Sequence, residues 1–262
     1  MALSSKTLDA LAKHLHACQR EARDTPKITD DHPGMDFDDA YAIQDRILAA
    51  KLKAGARVAG HKAGLTSHAK MRQMGVTDPV FGFLVDEFIV ADGGEVKVSD
   101  LIHPKVEPEI CFVTRTELKG PGCSIASVLA ASDVVLPGIE VIDSRYRDFK
   151  FDLKSVVADN TSASRFVVGG RAVDARSVDL RTTGIVLEKN GVPVALGAGA
   201  AVLGHPAAAV AMLVNHLGRR GKSLPAGSLV LSGGATEAVA VQKGDHITLR
   251  VQDMGSVSVR FV

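Results

Sequence analysis

Tryptophan is absent from the chain, tyrosine occurs twice, and the formal charge of +1 is spread without a Lys/Arg run. A nucleic-acid binder needs a basic footprint and usually stacking aromatics, so that class is poorly supported and a small-molecule partner is expected. The three cysteines, Cys18, Cys111 and Cys123, are odd in number, scattered, and form no C-x-x-C pair. They read as reduced packing thiols of a cytoplasmic protein, not as a disulfide frame or a metal cage. The first segment, 1–23, alternates charged and apolar residues and has no signal-peptide pattern. No window approaches the roughly 20 apolar residues of a membrane span, so no membrane role is expected. Nine histidines show neither H-x-x-x-H nor H-E-x-x-H spacing, which speaks against a histidine-based metal site. The P-loop, G-x-G-x-x-G and G-x-S-x-G patterns are also missing.

What is present is ordinary globular material: 46% apolar and 23% charged residues over 262 positions. Leu8, Leu11, Leu15 and Cys18 recur at helical intervals, predicting an amphipathic N-terminal helix. A second helix is predicted from the acidic turn at Asp36–Asp39, carrying Ala40, Ile43, Ile47 and Leu48 inward and ending near Gly55. Composition then shifts to β-branched residues and glycine. Predicted strands are 57–61, 88–90, 107–113, 134–142, 165–168, 183–189, 228–231, 246–251 and 257–262, with Asn190-Gly191 marking the clearest hairpin. Helices are predicted at 124–131 and 205–217. The expected fold class is α+β: a mainly helical N-terminal part over 1–75 that carries Lys62, and a β-rich metal-binding body over 76–262.

Glu107-Pro108-Glu109 opens an apolar run, and residues i and i+2 of a strand share a face, so the two carboxylates converge. Only Lys105 stands near as countercharge; a divalent cation would relieve the repulsion. The competing reading is a solvent-facing pair on an edge strand, which Pro108 would suit. Glu140 lies inside Val134–Ile142, a stretch that otherwise reads as buried strand, where a carboxylate is costly unless it is paired or bound to a metal. An internal ion pair with Arg145 is the alternative. Three oxygen ligands would suit Mg²⁺, with Mn²⁺ as a substitute, and disfavour zinc. Lys62 sits among small residues in Gly60–Ser67; near a cation and partly desolvated its pKa would fall, allowing proton exchange, while a solvated surface lysine is the plainer reading. Asp143-Ser144-Arg145 and Asp159–Ser162 follow apolar runs and read as turns or caps that also stand within reach of a cleft.

Taken together, Gly60–Ser67, Lys105–Glu109, Gly138–Arg145, Val157–Asn160, Gly197–Gly204 and Gly255–Phe261 resemble the hydratase/decarboxylase branch of the fumarylacetoacetase-like superfamily, in order from about residue 20 to the end. Within it, Lys70–Val76, Phe81–Leu84 and Phe149–Leu153 are most similar to the decarboxylases. The resemblance implies the family's β-rich body, Mg²⁺ on Glu107, Glu109 and Glu140, Lys62 as acid/base, and Asn160 and Ser162 near the substrate, with Lys105 grouped beside them. It implies decarboxylation of an unsaturated 2-oxo dicarboxylate, 2-oxo-3-hexenedioate, in the meta-cleavage degradation of aromatics. Hydration of 2-hydroxypentadienoate is the neighbouring reading, and a non-catalytic assembly partner is the reading from another class. A homo-oligomer and association with the pathway hydratase are further expectations. His61 stands where relatives are expected to carry an apolar residue, and 66–82 is expected to fold over the ligand as a lid.

Overall fold

The structure is a computed structural model that describes residues 3–73 and 75–262; Met74, part of the expected lid, lies outside the described residues. Helix α1 (Ser5–Arg20) buries Leu8, Ala12, Leu15 and Cys18, and Ser4 caps it by accepting from the Thr7 N–H. Helix α2 (Phe37–Lys53) begins on a reciprocal capping box between Asp36 and Asp39. The expected helices near 124 and 205 are α4 (Ile125–Ala131), capped by Ser124, and α6 (Pro206–Arg219), capped by His205. Two short helices escaped the sequence reading, α3 (His68–Gln73) and α5 (Leu153–Ala158). Six residues carry too few turns for a periodicity to declare itself.

The strands are β1 (Val58–Gly64), β2 (Val80–Val85), β3 (Ile89–Val90), β4 (Glu95–Val96), β5 (Lys105–Thr114), β6 (Ser132–Ile142), β7 (Ala163–Val168), β8 (Gly184–Lys189), β9 (Val192–Ala198), β10 (Leu229–Leu231), β11 (Val239–Ala240), β12 (His246–Val251) and β13 (Gly255–Phe261). Among the described residues they form an eight-stranded sheet in the order β2-β1-β10-β5-β6-β7-β3, with β11 also on β5, and a five-stranded sheet in the order β4-β13-β12-β8-β9. The α+β expectation therefore holds. The Asn190-Gly191 hairpin is present, both residues lying in the left-handed region its turn requires (φ 56° and 80°).

Two differences from the sequence reading matter. Lys62 stands on β1, which is paired in parallel with β10 and antiparallel with β2 inside the large sheet, so it belongs to the β-rich body and not to a helical unit. The Gly60–Leu229 pairing spans most of the chain, and Gly60 allows it: a Cβ there would lie 1.9 Å from the Leu229 carbonyl oxygen. Residues 80–82 of the expected lid are likewise part of β2, each in register with β1. The second difference concerns membrane propensity. The stretch 199–219 is long and apolar enough to span a bilayer by length and composition, where the sequence reading found no such window. It is broken at Leu203 and Gly204, both at positive φ, and α6 buries Ala207, Val210, Leu213 and Val214 in the core. A core helix meets the same apolar demand as a membrane helix.

The turn after β6 is held by a buried ion pair. The Arg145 guanidinium binds the Asp159 carboxylate and donates to the Asp143 carbonyl at 2.5 Å and to the Ala163 carbonyl at 3.3 Å. Burial still pushes Asp159 up to about 6, so desolvation outweighs the arginine. Such a pair adds little net stability yet is costly to break. Asp159→Ala, which leaves Arg145 buried and unpaired, is expected to lower the urea unfolding free energy by about 3–5 kcal/mol; a change within about 0.5 kcal/mol would mean the pair does not hold this turn.

Candidate metal centre and its cavity

Strands β5 and β6 run antiparallel with Glu107 directly opposite Glu140 and Glu109 opposite Gly138, so all three carboxylates fall on one face of the sheet. Each offers an oxygen within 4.8 Å of the others. Glu109 and Glu140 are fully buried and Glu107 is half-buried, which removes the solvent-facing reading. Pro108 sits on an interior strand, not on an edge. The neighbouring chain bulges there: β10 pairs with 111–113 and β11 with 105–106, and between them the Ser232 and Ala235 N–H groups donate to the Ile110 (3.4 Å) and Pro108 (2.9 Å) carbonyls. The bulged segment also serves the site, because the Gly233 N–H donates to Glu109 Oε2 at 2.6 Å.

Lys62 reaches the cluster from β1. Its Nζ lies 3.0 Å from Glu140 Oε2 and donates to the Thr161 carbonyl at 3.2 Å. The contact with Glu140 is an ion pair by distance but is not aligned as a hydrogen bond. The alternative Glu140–Arg145 pair does not form, since Arg145 is committed to Asp159; the ion pair that Glu140 makes is with Lys62. Nor is Lys62 a surface residue; it is 2% exposed.

The electrostatics are those of a site with too much negative charge for its surroundings. Burial, reinforced by Glu140 and Glu107, pushes the Glu109 carboxyl well above the usual range. Burial pushes Glu140 up to about 7, with Lys62 opposing and Glu107 adding to the shift. For Lys62, burial alone would lower the pKa, but Glu140, Glu107 and Glu109 together hold the ammonium above the ordinary lysine value. The lowered value expected from sequence is for a lysine beside a bound cation; the ion-free carboxylates act in the opposite direction. Glu109 Oε1 and Glu140 Oε1 are buried with no hydrogen-bond partner. Hard, buried, unpartnered oxygens at this spacing suit a divalent cation such as Mg²⁺.

The site is shaped by a turn in which Asn160, Thr161 and Ser162 all take positive φ (49°, 51° and 58°) without a glycine among them. Backbone of this kind persists only where its surroundings hold it, and here Asn160 does so. Its Oδ1 accepts from the Phe83 N–H at 2.9 Å and its Nδ2 donates to the Phe83 carbonyl at 3.0 Å, so the side chain docks on β2. The turn presents the Thr161 carbonyl to Lys62 and leaves Ser162 Oγ buried without a partner. Gly82 and Gly64 make room for it: a Cβ on Gly82 would lie 2.9 Å from Asn160, and one on Gly64 2.7 Å from Thr161.

A cavity of about 320 Å³ opens from this cluster, lined by Lys62, Glu107 and Ser162 at one end and by Ile142, Phe149 and Phe151 along its walls. Lys105, expected among the substrate contacts, lies with its Nζ 4.2 Å from the centre of the Phe149 ring. Glu107 also borders a second, more polar cavity of about 380 Å³ with Thr66, Thr236 and Glu237. His61 faces neither; it lines a separate cavity with Tyr41 and His216, and burial pushes its ring down to about 4. Sequence reasoning missed Thr161, Gly233 and Phe149 as site residues. A backbone group leaves no mark in side-chain chemistry, and Phe149 stood only within a resemblance.

Comparison with known proteins agrees with this geometry. A family profile described as fumarylacetoacetate (FAA) hydrolase, C-terminal, matches residues 55–262. The chain is 57% identical over 253 residues to a 4-oxalocrotonate decarboxylase from Pseudomonas sp. (strain CF600), covering 97% of this chain and 96% of that one. It is 39% identical to a 2-hydroxyhexa-2,4-dienoate hydratase from Comamonas testosteroni, covering 97% of each. Its fold superposes on that of 4-oxalocrotonate decarboxylase from Pseudomonas putida G7, complexed with magnesium and adipate, with a TM-score of 0.97, 54% identity and 99% of each chain covered. The chain belongs to the fumarylacetoacetate hydrolase family.

Proposed function

We propose that the protein is a magnesium-dependent carboxy-lyase that converts 2-oxo-3-hexenedioate (4-oxalocrotonate) to 2-hydroxypenta-2,4-dienoate and carbon dioxide. The observation that carries this reading is the set of buried, unpartnered carboxylate oxygens beside a buried lysine at the mouth of an apolar cavity, in a chain 57% identical to a 4-oxalocrotonate decarboxylase. Glu107, Glu109 and Glu140 would hold the ion. Bound there, Mg²⁺ (or Mn²⁺) supplies Lewis-acid stabilisation of negative charge developing on a 2-oxo acid.

In the reaction the C5–C6 bond breaks and C6 leaves as carbon dioxide. The released pair forms C4=C5, the former C3=C4 pair forms C2=C3, and the charge arrives on the C2 oxygen. Lys62 Nζ places a proton on that oxygen to give the enol product and is recharged from solvent. The Thr161 carbonyl holds Nζ on the cavity side of Glu140. Ser162 Oγ donates to a substrate oxygen, and Asn160, committed to Phe83, positions the turn that carries it. Lys105 at the cavity rim draws in the dianion. The three scattered cysteines support a cytoplasmic enzyme. A homo-oligomer is the general prior for an enzyme of this size, and the family resemblance supports a place in aromatic meta-cleavage catabolism beside the hydratase that consumes its product.

Relatives named as hydratases share the fold, so hydration of 2-hydroxypentadienoate is the second reading. Purified protein with Mg²⁺ is expected to release carbon dioxide from 2-oxo-3-hexenedioate. Formation of 4-hydroxy-2-oxopentanoate from 2-hydroxypentadienoate, with no carbon dioxide from the first substrate, would replace decarboxylation by hydration. Inertness in both assays would favour the assembly partner.

Two further outcomes are expected. Lys62→Ala should reduce turnover by orders of magnitude while Mg²⁺ affinity is retained or strengthened, because a competing positive charge is removed; undiminished turnover would take Lys62 out of the mechanism. The second concerns pH. The Glu140 pKa is raised from 4.5 to about 7, so the ion-free protein takes up protons on folding and loses stability as pH rises through that window. Mg²⁺ must displace those protons, so its affinity and its effect on Tm should be larger at about pH 8 than at about pH 6. An equal Tm increment at both, at saturating substrate-free Mg²⁺, would contradict buried carboxylates as its ligands.

A further inference from the structure

Two cavities meet at Glu107, and they offer the distal carboxylate of a dicarboxylate two very different surroundings. One is bordered by Thr66, Ser67, Thr236 and Glu237, a wet lining with a negative charge that opposes an anion. The other is lined by Lys62, Glu107, Thr161 and Ser162 and, apart from these, by apolar residues, among them Val80, Ile142, Phe149, Phe151 and Leu153. A carboxylate against those apolar residues is stripped of water, with the Lys105 ammonium on the Phe149 ring and outside this lining. Its loss as carbon dioxide spreads the charge over a dienolate, so the dry wall disfavours the ground state more than the transition state.

Phe149 is the residue built to make that wall. Asp148 and Phe149 both hold φ of 57°, two consecutive non-glycine residues in the left-handed region. The half-buried ring is gripped from several sides: the Lys105 ammonium lies 4.2 Å from its centre, the His103 ring 4.8 Å and the Phe151 ring 6.2 Å. His103 is itself anchored, its N–H donating to Asp143 at 2.8 Å at the end of β6, and its buried Nε2 has no partner. The backbone strain and the clamp together fix one aromatic face at the cavity rim.

Resting on the decarboxylase reading above, we infer that Phe149 is the specificity-determining wall that receives the distal carboxylate and keeps it dry, distinct from the groups that hold the 2-oxo acid head. The test compares two substitutions of similar volume and opposite polarity in the Mg²⁺-loaded enzyme. Phe149→Leu keeps an apolar rim but gives up the ring, and its kcat for carbon dioxide release is expected to fall by only roughly threefold. Phe149→Gln brings an amide and its water, and kcat should fall roughly ten- to hundredfold with KM unchanged or lower, the pattern of relieved ground-state destabilisation. Inhibition by oxalate, which matches the 2-oxo acid head and lacks the distal arm, should be unaltered in both. The inference is overturned by equal kcat in the Leu and Gln variants, by a Gln variant that raises KM at constant kcat, or by parallel loss of oxalate inhibition. An unsubstituted enzyme that releases no carbon dioxide would instead defeat the parent reading.

Discussion

Three carboxylates on one sheet face, two of them fully buried and one half-buried, against a single lysine are the constraint around which the site is arranged. Glu107 and Glu140 are register partners on adjacent strands, a placement that in an ordinary sheet would be penalised twice, by like charge and by burial. The protein tolerates it with partial offsets: one ammonium on Glu140 and one main-chain N–H on Glu109. The offsets are incomplete, as the raised carboxyls and orphaned oxygens record. A divalent cation would complete them, and stability and function would then draw on the same charge deficit.

Much of the surrounding fold can be understood as access to that face. The parallel β1–β10 pairing, made possible by Gly60, brings Lys62 alongside Glu140. The bulge between β10 and β11 frees Gly233 for Glu109 and opens the polar cavity beside Glu107. The Arg145–Asp159 pair ties the end of β6 to the turn at Asn160–Ser162, and Asn160 ties that turn to β2. Each tie is buried, so the ligand-facing atoms are held by groups that do not themselves touch the reacting end.

The central strands and the carboxylates were legible in sequence because their signals are local. Glu107 and Glu109 sit two apart, and Glu140 interrupts an apolar run, so period and burial cost suffice. The membership of β1 in the large sheet was not legible, since one partner, β10, lies some 170 residues away and the other, β2, was itself not read as a strand. Pro108 misled toward an edge because the bulge in the neighbouring chain that accommodates it is tertiary. Strand β2, six buried residues without alternation, passed as a motif because a continuous apolar run has no period to read. The upward shift of Lys62 in the ion-free site was not legible either: it depends on how many uncompensated charges converge, which only the assembled sheet decides.

The central claim is that these glutamates share one ion, and a metal titration addresses it most directly. Mn²⁺ added to the protein and followed by electron paramagnetic resonance should show a single tight site per chain that Mg²⁺ displaces and that Glu140→Gln abolishes or weakens severely. Binding that persists undiminished in that variant, or no binding by the unaltered protein, would contradict the account.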